Sequence, residues 1–242
     1  MAKEKVTKAI VIRTTNYREN DKILTLFSLE YGKISATLRG CNKPNAKLKF
    51  AGQLFCFAEF NLVQMGENFV VTNASEIESF FDVSKDYIKL SMGTSVLEVC
   101  DTILNSDEPN PTLFVEVLKA FKVLCFSELN PKAVIIKFLL DVFKITGYQI
   151  QMERCQSCGG TFNSHILLDL DSGFLVCGLC RGINCLELSL SDLAILKMID
   201  KTEYERLSTI KAKEEILQDL IVILNANWNM RFQHILKSLK NV

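Results

Sequence analysis

The amino-acid sequence predicts an α+β protein in which a five-stranded OB-fold barrel is followed by an α-helical domain with an inserted four-cysteine, zinc-finger-like site. Three observations support this architecture. Apolar and polar residues alternate through residues 6–74, apolar residues recur at helical spacing after Phe81, and four cysteines stand in two short pairs.

The first part of the chain predicts five β-strands. Alternating or β-branched runs lie at residues 8–15, 23–29, 33–38, 55–63 and 69–72, with turn sequences between most of them. Five short strands in so small a region fit a closed barrel of the OB type, and a five-stranded SH3-like barrel is the nearest alternative. The polar stretch from Arg39 to Lys49 predicts a long loop.

The spacing of apolar residues becomes helical after the barrel. Helices are predicted from a Ser84 cap to about Leu104, over about 112–126, from Pro131 to near Gly147, after a Ser189 cap, and from about Ala212 to Lys240. These patterns divide the chain into four predicted domains: residues 1–81 as the OB fold, 82–154 as a helical bundle, 155–182 as the cysteine segment, and 183–242 as C-terminal helices that pack on the helical domain.

The cysteine pairs are Cys155-Gln-Ser-Cys158 and Cys177-Gly-Leu-Cys180, with eighteen residues between them. This spacing is typical of structural zinc sites, because each CxxC turn directs two thiolates at one point and two turns complete a tetrahedral Zn²⁺ site. No ligand position is left for water, so the predicted cofactor is one structural zinc ion per chain. A redox-active CxxC pair is the alternative, and His165 could replace a ligand but is expected to be exposed.

The nine cysteines do not indicate a secreted disulfide protein. The charged start MAKEKVTK and the lack of a long apolar run predict neither a signal peptide nor a membrane span. The remaining thiols are Cys41, Cys56, Cys100, Cys125 and Cys185, and the last is interpreted as a core residue. We therefore expect free thiols in a reducing cytosol.

The formal net charge is zero, but the charges are unevenly distributed. Residues 1–50 contain eleven Lys or Arg and four Asp or Glu, a net charge of +7, whereas residues 51–81 contain four Glu and no Lys or Arg. A local cationic surface is what a nucleic-acid backbone meets. The candidate DNA-binding residues are Arg13, Arg18, Lys22, Lys33, Arg39, Lys43, Lys47 and Lys49.

A solvated barrel surface is the alternative explanation of these cations, because lysines on strand edges also prevent aggregation. Among the aromatic residues, Tyr17 and Tyr31 have polar neighbours and are candidates for stacking on bases. Four nearby phenylalanines could also stack on bases, but most of them are expected to fill the barrel; they are Phe50, Phe55, Phe57 and Phe60.

Sequence signatures of several enzyme classes are missing. The chain contains no GxSxG nucleophile elbow, no GxxxxGK[ST] phosphate loop and no HxE motif of the zinc deaminases. Catalysis by two carboxylates that the fold brings together stays open, but no local pattern supports it. The sequence therefore predicts a binding protein rather than an enzyme.

These motifs, in this order, resemble the bacterial recombination mediator family RecO. The N-terminal part of the resemblance consists of Lys8-Ala-Ile-Val-Ile-Arg13, the run from Tyr17 to Phe27, Glu30-Tyr-Gly-Lys33 and Arg39-Gly40. The later part consists of the run from Phe138 to Tyr148, Cys155-x-x-Cys158-Gly159 and the run from Asp171 to Cys180. The resemblance covers nearly the whole chain.

The resemblance implies an N-terminal OB fold, a helical domain and, in many members, a four-cysteine zinc site. It implies binding of single- and double-stranded DNA, annealing of complementary strands and, with RecR and in many species RecF, loading of RecA onto DNA coated with single-strand-binding protein. The acidic C-terminal tail of that protein is a further implied partner. The implied setting is RecF-pathway recombination and repair of DNA damage, within the SOS response, at the nucleoid in the bacterial cytoplasm.

The chain departs from the family pattern after Gly40, where many relatives have a denser run of Arg and Lys than Cys-Asn-Lys-Pro-Asn-Ala. Two other functions stay open at this point. One is a zinc-ribbon DNA-binding transcription regulator, and the other is a thiol-redox switch protein.

Overall fold

The computed structural model describes residues 4–66 and 68–240. The chain divides into two compact units. The barrel unit comprises the chain up to Leu90 together with Leu97–Phe121, and the helical unit comprises Ser91–Val96 together with the chain from Lys122 onwards.

Five strands form a closed barrel in the barrel unit: β1 Glu4–Tyr17, β2 Asp21–Ser28, β3 Gly32–Leu38, β4 Cys56–Met65 and β5 Asn68–Ser79. Their order around the barrel is β1-β2-β3-β5-β4, and the pair of β3 with β5 is parallel. This arrangement confirms the predicted OB fold over the SH3-like alternative. β1 pairs with both β4 and β2, and it has a bulge between Val11 and Arg13.

Five α-helices lie in the described part of the chain: α1 Tyr87–Ile103, α2 Pro111–Phe126, α3 Pro131–Ile145, α4 Leu190–Lys201 and α5 Glu214–Phe232. The predicted starts at Pro131 and Ser189 are confirmed. Pro131 occupies the first turn of α3, and the Ser189 hydroxyl and the Asp192 carboxylate form a reciprocal capping box at α4.

Two helix ends differ from the prediction. α1 is capped by Asp86, whose carboxylate accepts a hydrogen bond from the Lys89 N–H, because Ser84 lies within a 3-10 helix. α5 ends at Phe232 rather than Lys240, because Gln233 adopts the left-handed conformation with φ of +52°. Leu239 is buried beyond this turn, so the apolar spacing continued where the helix did not.

The barrel interior is apolar because alternate strand residues point inward. Phe60 belongs to this core, as expected. Phe50 packs against the same core. Phe55 and Phe57 pack on α2 instead, so two of the four phenylalanines, rather than most of them, fill the barrel: the Phe55 ring lies 5.5 Å from the ring of Phe121, and the Phe57 ring lies 5.9 Å from the ring of Phe114.

A small antiparallel sheet that the sequence did not predict lies between α3 and α4 in the chain. Its strands are β6 Ile166–Asp169, β7 Phe174–Cys177 and β8 Cys185–Leu188, in the order β7-β6-β8. Each strand has only four residues, which is too short for alternation to be recognised. No helix in the ranges described above is both long and apolar enough to cross a membrane.

Candidate metal centre and nucleic-acid interface

The four predicted metal ligands converge in the helical unit. The Sγ atoms of Cys155, Cys158, Cys177 and Cys180 all lie within 4.8 Å of one another. The Sγ atoms of Cys158 and Cys177 are 3.8 Å apart. Four thiolates at Zn–S distances of about 2.3 Å in a tetrahedron would be separated by about 3.8 Å, so the donor set fits a zinc ion.

Backbone hydrogen bonds shape the first cysteine turn. The N–H of Gly159 donates to the carbonyl of Cys155 at 2.8 Å, and the N–H of Cys155 donates to the carbonyl of Gly160 at 2.9 Å. Gly159 has φ of +74°, a conformation that favours glycine, whereas Gly160 does not share it. These bonds turn the chain so that both thiols of the pair face the same point.

The small sheet positions the second cysteine turn. Cys177 ends β7, and Cys180 follows within a short 3-10 turn. The N–H of Cys177 donates to the Sγ of Cys155 at 3.3 Å, which links the two pairs directly. The site is therefore held by strand pairing as well as by any metal.

The electrostatic environment distinguishes two of the thiols. Burial raises the pKa of Cys155, but hydrogen bonds from backbone N–H groups, including those of Cys158 and Cys177, outweigh burial and lower the pKa to about 6. A hydrogen bond with Ser157 lowers the pKa of Cys180, but the neighbouring cysteines Cys158 and Cys177 raise it to about 11 overall. A thiolate at Cys155 is the form that binds a metal.

Two neighbours of the cysteines have roles that the sequence left open. His165 is exposed, and its Nδ1 lies 2.8 Å from a carboxylate oxygen of Glu187, so within the described residues it is paired with an acid and not grouped with the cysteines. Cys185, interpreted as a core residue, is half-buried and packs against the small cluster of Cys155, Leu167 and Val176 without being one of its buried members. Neither residue completes the candidate site.

Within the described residues, the thiols of Cys41, Cys56, Cys100 and Cys185 form no disulfide. Cys41, Cys56 and Cys100 are buried. Burial raises the pKa of all three thiols, to about 12 for Cys56, so they are poor nucleophiles.

Three of the eight candidate DNA-binding cations hold the barrel unit together. The Nζ of Lys33 donates to the carbonyl of Asp101 at 2.7 Å and lies 3.3 Å from its carboxylate. The guanidinium of Arg13 lies 3.3 Å from the same carboxylate. The Nζ of Lys22 donates to the carbonyl of Gly52 at 2.9 Å.

Arg13 is exposed despite its ion pair, and so are the other five candidate cations: Arg18, Arg39, Lys43, Lys47 and Lys49. Within the described ranges, none of these other five forms an ion pair with an acidic side chain. We call residues 39–49 the cation loop. It contains four of the five, and Arg18 lies in the turn between β1 and β2.

The cation loop is ordered by its own backbone. Successive turns are closed by hydrogen bonds from the N–H of Lys43 to the carbonyl of Gly40, at 3.3 Å, and from the N–H of Lys49 to that of Ala46, also at 3.3 Å. The loop is tied to the β1–β2 turn, because the N–H of Asn42 donates to the carbonyl of Asn20 at 3.1 Å. This contact places the loop beside the β1–β2 turn, which also contains Arg18.

The two stacking candidates differ in availability. Tyr31 is partly buried against the barrel core, and the Nζ of Lys5 lies 4.1 Å from the centre of its ring. Tyr17 is 39% exposed and lies beside Arg18, whose guanidinium carbon is 5.1 Å from the ring centre. Of these two candidates, Tyr17 is exposed and Tyr31 is not.

Sequence reasoning missed Asp101, which binds two of the candidate cations. No local signal could have found it, since it lies on α1, far along the chain from Arg13 and Lys33. It also missed Ser35 and Thr37, which line a surface groove with Tyr17. The alternation of residues along β3 predicts that both hydroxyls point outward, and this was the one sequence signal that could have identified them as groove residues.

Comparison with protein families gives two adjacent matches. The family model described as Recombination protein O N terminal matches residues 1–81, and the one described as Recombination protein O C terminal matches residues 84–240.

Individual relatives extend over most of the chain. A DNA repair protein RecO from Clostridium novyi is 27% identical over 219 residues, covering 90% of this chain and 86% of the relative. One from Acetivibrio thermocellus is 28% identical over 217 residues, covering 88% and 86%. One from Desulfitobacterium hafniense is 29% identical over 221 residues, covering 87% and 80%.

Proposed function

Because the chain belongs to the RecO family of DNA repair and recombination proteins, we propose that it is a recombination mediator that binds and anneals single-stranded DNA. With RecR it helps to load RecA onto DNA coated with single-strand-binding protein, whose acidic tail it contacts; RecF is a further partner. It also binds double-stranded DNA, and it acts by binding rather than by catalysis, in the bacterial cytoplasm at the nucleoid.

The observation that carries this proposal is the cation loop. Four exposed cations stand on one ordered loop and have no acidic partner among the residues that the structure describes, and Arg18 lies on the adjoining turn. A cationic surface beside an OB barrel follows a phosphate backbone with little preference for sequence. Residues 1–81 are accordingly the proposed DNA-binding domain.

The three other candidate cations enter this proposal differently. Arg13, Lys22 and Lys33 lie in the same region, but each already contacts a group of the protein. We assign them a supporting role in which they hold the barrel surface in place and add to its positive potential. Direct phosphate contact is assigned to the other five cations, which are exposed and form no ion pair in the described ranges.

Annealing follows from charge neutralisation. Two complementary strands repel each other through their phosphates, and cations that neutralise those phosphates lower the repulsion and release counterions. The chain has no ATP-binding loop motif, so the energy for exchange comes from binding DNA and partners.

The proposed zinc ligands are Cys155, Cys158, Cys177 and Cys180, which hold one structural ion. When bound, the metal supplies folding energy, because four thiolates converge on it. The chain's contribution is the small sheet and the two CxxC turns that direct the thiols. The helical domain around residues 82–154, the segment 155–182 and the helices of 183–242 provide the second surface for a strand or a partner.

The test is the annealing rate of two complementary fluorescent oligonucleotides, measured by energy transfer. The loop variant replaces Arg39, Lys43, Lys47 and Lys49 with Ala. The charge-matched control replaces Lys8, Lys211, Lys213 and Lys237 with Ala, since all four are exposed and lie outside the loop. We expect the wild type and the control to accelerate annealing and the loop variant to lose most of the acceleration.

Partner and sequence controls complete the test. Adding RecR and single-strand-binding protein should permit RecA filament assembly only with an active mediator. Equal annealing by the loop variant and the wild type would contradict the assignment of DNA binding to the loop.

Two other outcomes would indicate a different function. Binding that depended on one duplex sequence would indicate a transcription regulator, and activity that changed with oxidant at constant metal content would indicate a redox switch.

A further inference from the structure

A shallow groove lies on the outer surface of the barrel, next to the turn that carries Arg18. Its volume is about 150 Å³, and it is lined by Tyr17, Ile23, Ser35, Thr37 and Asn68. Pockets that enclose drug-sized ligands occupy about 300–1,000 Å³, so this groove has room for a smaller group such as one flat heterocycle.

Four strands contribute to the groove, and the sheet register explains why their side chains meet. Ile23 on β2 is the cross-strand partner of Thr37 on β3. Ser35 lies two residues before Thr37 and therefore on the same face of β3. Asn68 begins β5 beside the parallel pair of β3 with β5, and Tyr17 ends β1.

The lining has one aromatic face and several polar groups. Within the described residues, the hydroxyls of Ser35 and Thr37 and the side-chain amide of Asn68 are not engaged in the side-chain hydrogen bonds of the fold, and Tyr17 is 39% exposed. Hydroxyl and amide groups can both donate and accept hydrogen bonds. A nucleobase presents the same combination, a flat aromatic face and an edge of donors and acceptors.

The backbone directs these groups to one place. Arg18 has φ of +54°, which reverses the chain directly after Tyr17. The guanidinium carbon of Arg18 consequently lies 5.1 Å from the Tyr17 ring centre. A cation that could contact a phosphate therefore adjoins an aromatic ring that could contact a base.

We propose that this groove is a subsite for one unstacked nucleobase of single-stranded DNA. Tyr17 stacks on the base, Ile23 contacts its apolar part, and the polar side chains of Ser35, Thr37 and Asn68 bond its edge. The inference rests on the proposed function, because the exposed cations must hold the phosphates of the same strand. A base within a duplex is already stacked on its neighbours and cannot enter the groove.

The experiment compares Tyr17→Leu with wild type on two probes of equal length, a thymidine oligonucleotide and an abasic oligonucleotide with the same phosphates. Stacking on one aromatic residue changes affinity by roughly 5- to 100-fold. We expect Tyr17→Leu to lose affinity for the thymidine probe within that range, with the same dependence on salt, and to bind the abasic probe as wild type does.

Two further variants separate stacking from other effects. Tyr17→Phe keeps the aromatic face and should bind the thymidine probe as wild type does. Tyr87→Leu is the matched control, because Tyr87 is 65% exposed, lies in the barrel unit and is not part of the groove. It should bind both probes as wild type does.

Several outcomes would overturn the subsite. Equal losses on both probes would mean that Tyr17 supports the barrel rather than a base, and no loss on either would mean that it contacts neither. If Tyr17→Leu lost affinity for a ribonucleotide probe of equal length but not for the thymidine probe, the groove would bind an RNA base rather than a DNA base. Wild-type protein that bound both probes equally would contradict only the subsite, whereas binding to neither would contradict the proposed function as well.

Discussion

The cation loop and the cysteine site position their functional groups in different ways. The loop presents separate exposed side chains on a backbone ordered by its own turns, so in the proposed function each would meet a phosphate independently. The cysteine site brings four sulfurs within 4.8 Å of one another and buries Cys155. Replacing loop cations one at a time should therefore lower DNA affinity step by step. Replacing any one of the four cysteines should remove the metal altogether.

A second difference lies within the barrel itself. Lys33 and Arg13 share the carboxylate of Asp101, whereas the loop cations have no acidic partner in the ranges described above. The proposed function therefore gives cations of the same barrel two purposes, one in stability and one in DNA binding. Replacing a residue from each set should separate them, with one change acting on stability and the other on DNA binding.

The largest effect is expected at the cysteine site. Cys155→Ala leaves three ligands around the metal position, so zinc should be lost and unfolding should become easier by more than about 3 kcal/mol. Elemental analysis measures the metal, and denaturant unfolding is followed through Trp228, the single tryptophan, which is buried in the helical unit.

The control for this change is Cys185→Ala, a half-buried thiol that packs beside the site without joining the four sulfurs. It should retain one zinc ion per chain. One zinc ion per chain in Cys155→Ala would show that the metal does not need all four sulfurs. The cysteine site would then not differ from the loop in the way described above.

A smaller effect is expected for Lys33→Ala. The change leaves the Asp101 carboxylate with Arg13 alone and removes a 2.7 Å hydrogen bond to the Asp101 carbonyl. We expect the free energy of unfolding to fall by about 1–2 kcal/mol. The salt dependence of DNA binding should change less than for a loop cation.

Lys8→Ala is the control, because Lys8 is an exposed cation on β1 of the same barrel. Its unfolding should stay within about 0.5 kcal/mol of wild type. Lys33→Ala could instead be as stable as wild type and reduce the slope of log affinity against log salt as much as the loss of one phosphate contact does. Lys33 would then belong with the loop cations, and the division into two sets would be wrong.

The smallest effect is expected for one loop cation. Lys47→Ala removes one exposed charge, so the slope of log affinity against log salt should decrease by roughly 0.7, with stability unchanged. A change in stability without a change in slope would place Lys47 among the supporting cations.

Much of this organisation could be predicted from the sequence. Alternation located the barrel strands, and the spacing of two CxxC pairs located the candidate metal ligands, because both are local patterns. The end of α5 could not be predicted, since Leu239 continued the apolar spacing and is buried although the helix stops at Phe232. Tertiary contacts, not helical periodicity, explain that burial.

The division among the cations was also beyond the sequence. Composition identified eight basic residues near the barrel, but it carried no information about Asp101, which reaches Lys33 only after folding. The same limit applied to the groove, where strand alternation placed Ser35 and Thr37 outward but could not bring Tyr17 and Asn68 beside them. Long-range register, rather than local pattern, assembles both features.

In the proposed function the cation loop contacts the DNA backbone, and a salt series with single-stranded DNA tests this contact most directly. The loop variant, with Arg39, Lys43, Lys47 and Lys49 replaced by Ala, is compared with the charge-matched control at Lys8, Lys211, Lys213 and Lys237. Four lost phosphate contacts should reduce the slope of log affinity against log salt by about 3 in the loop variant alone. Equal slopes in the two variants would show that only net charge matters and would contradict the account.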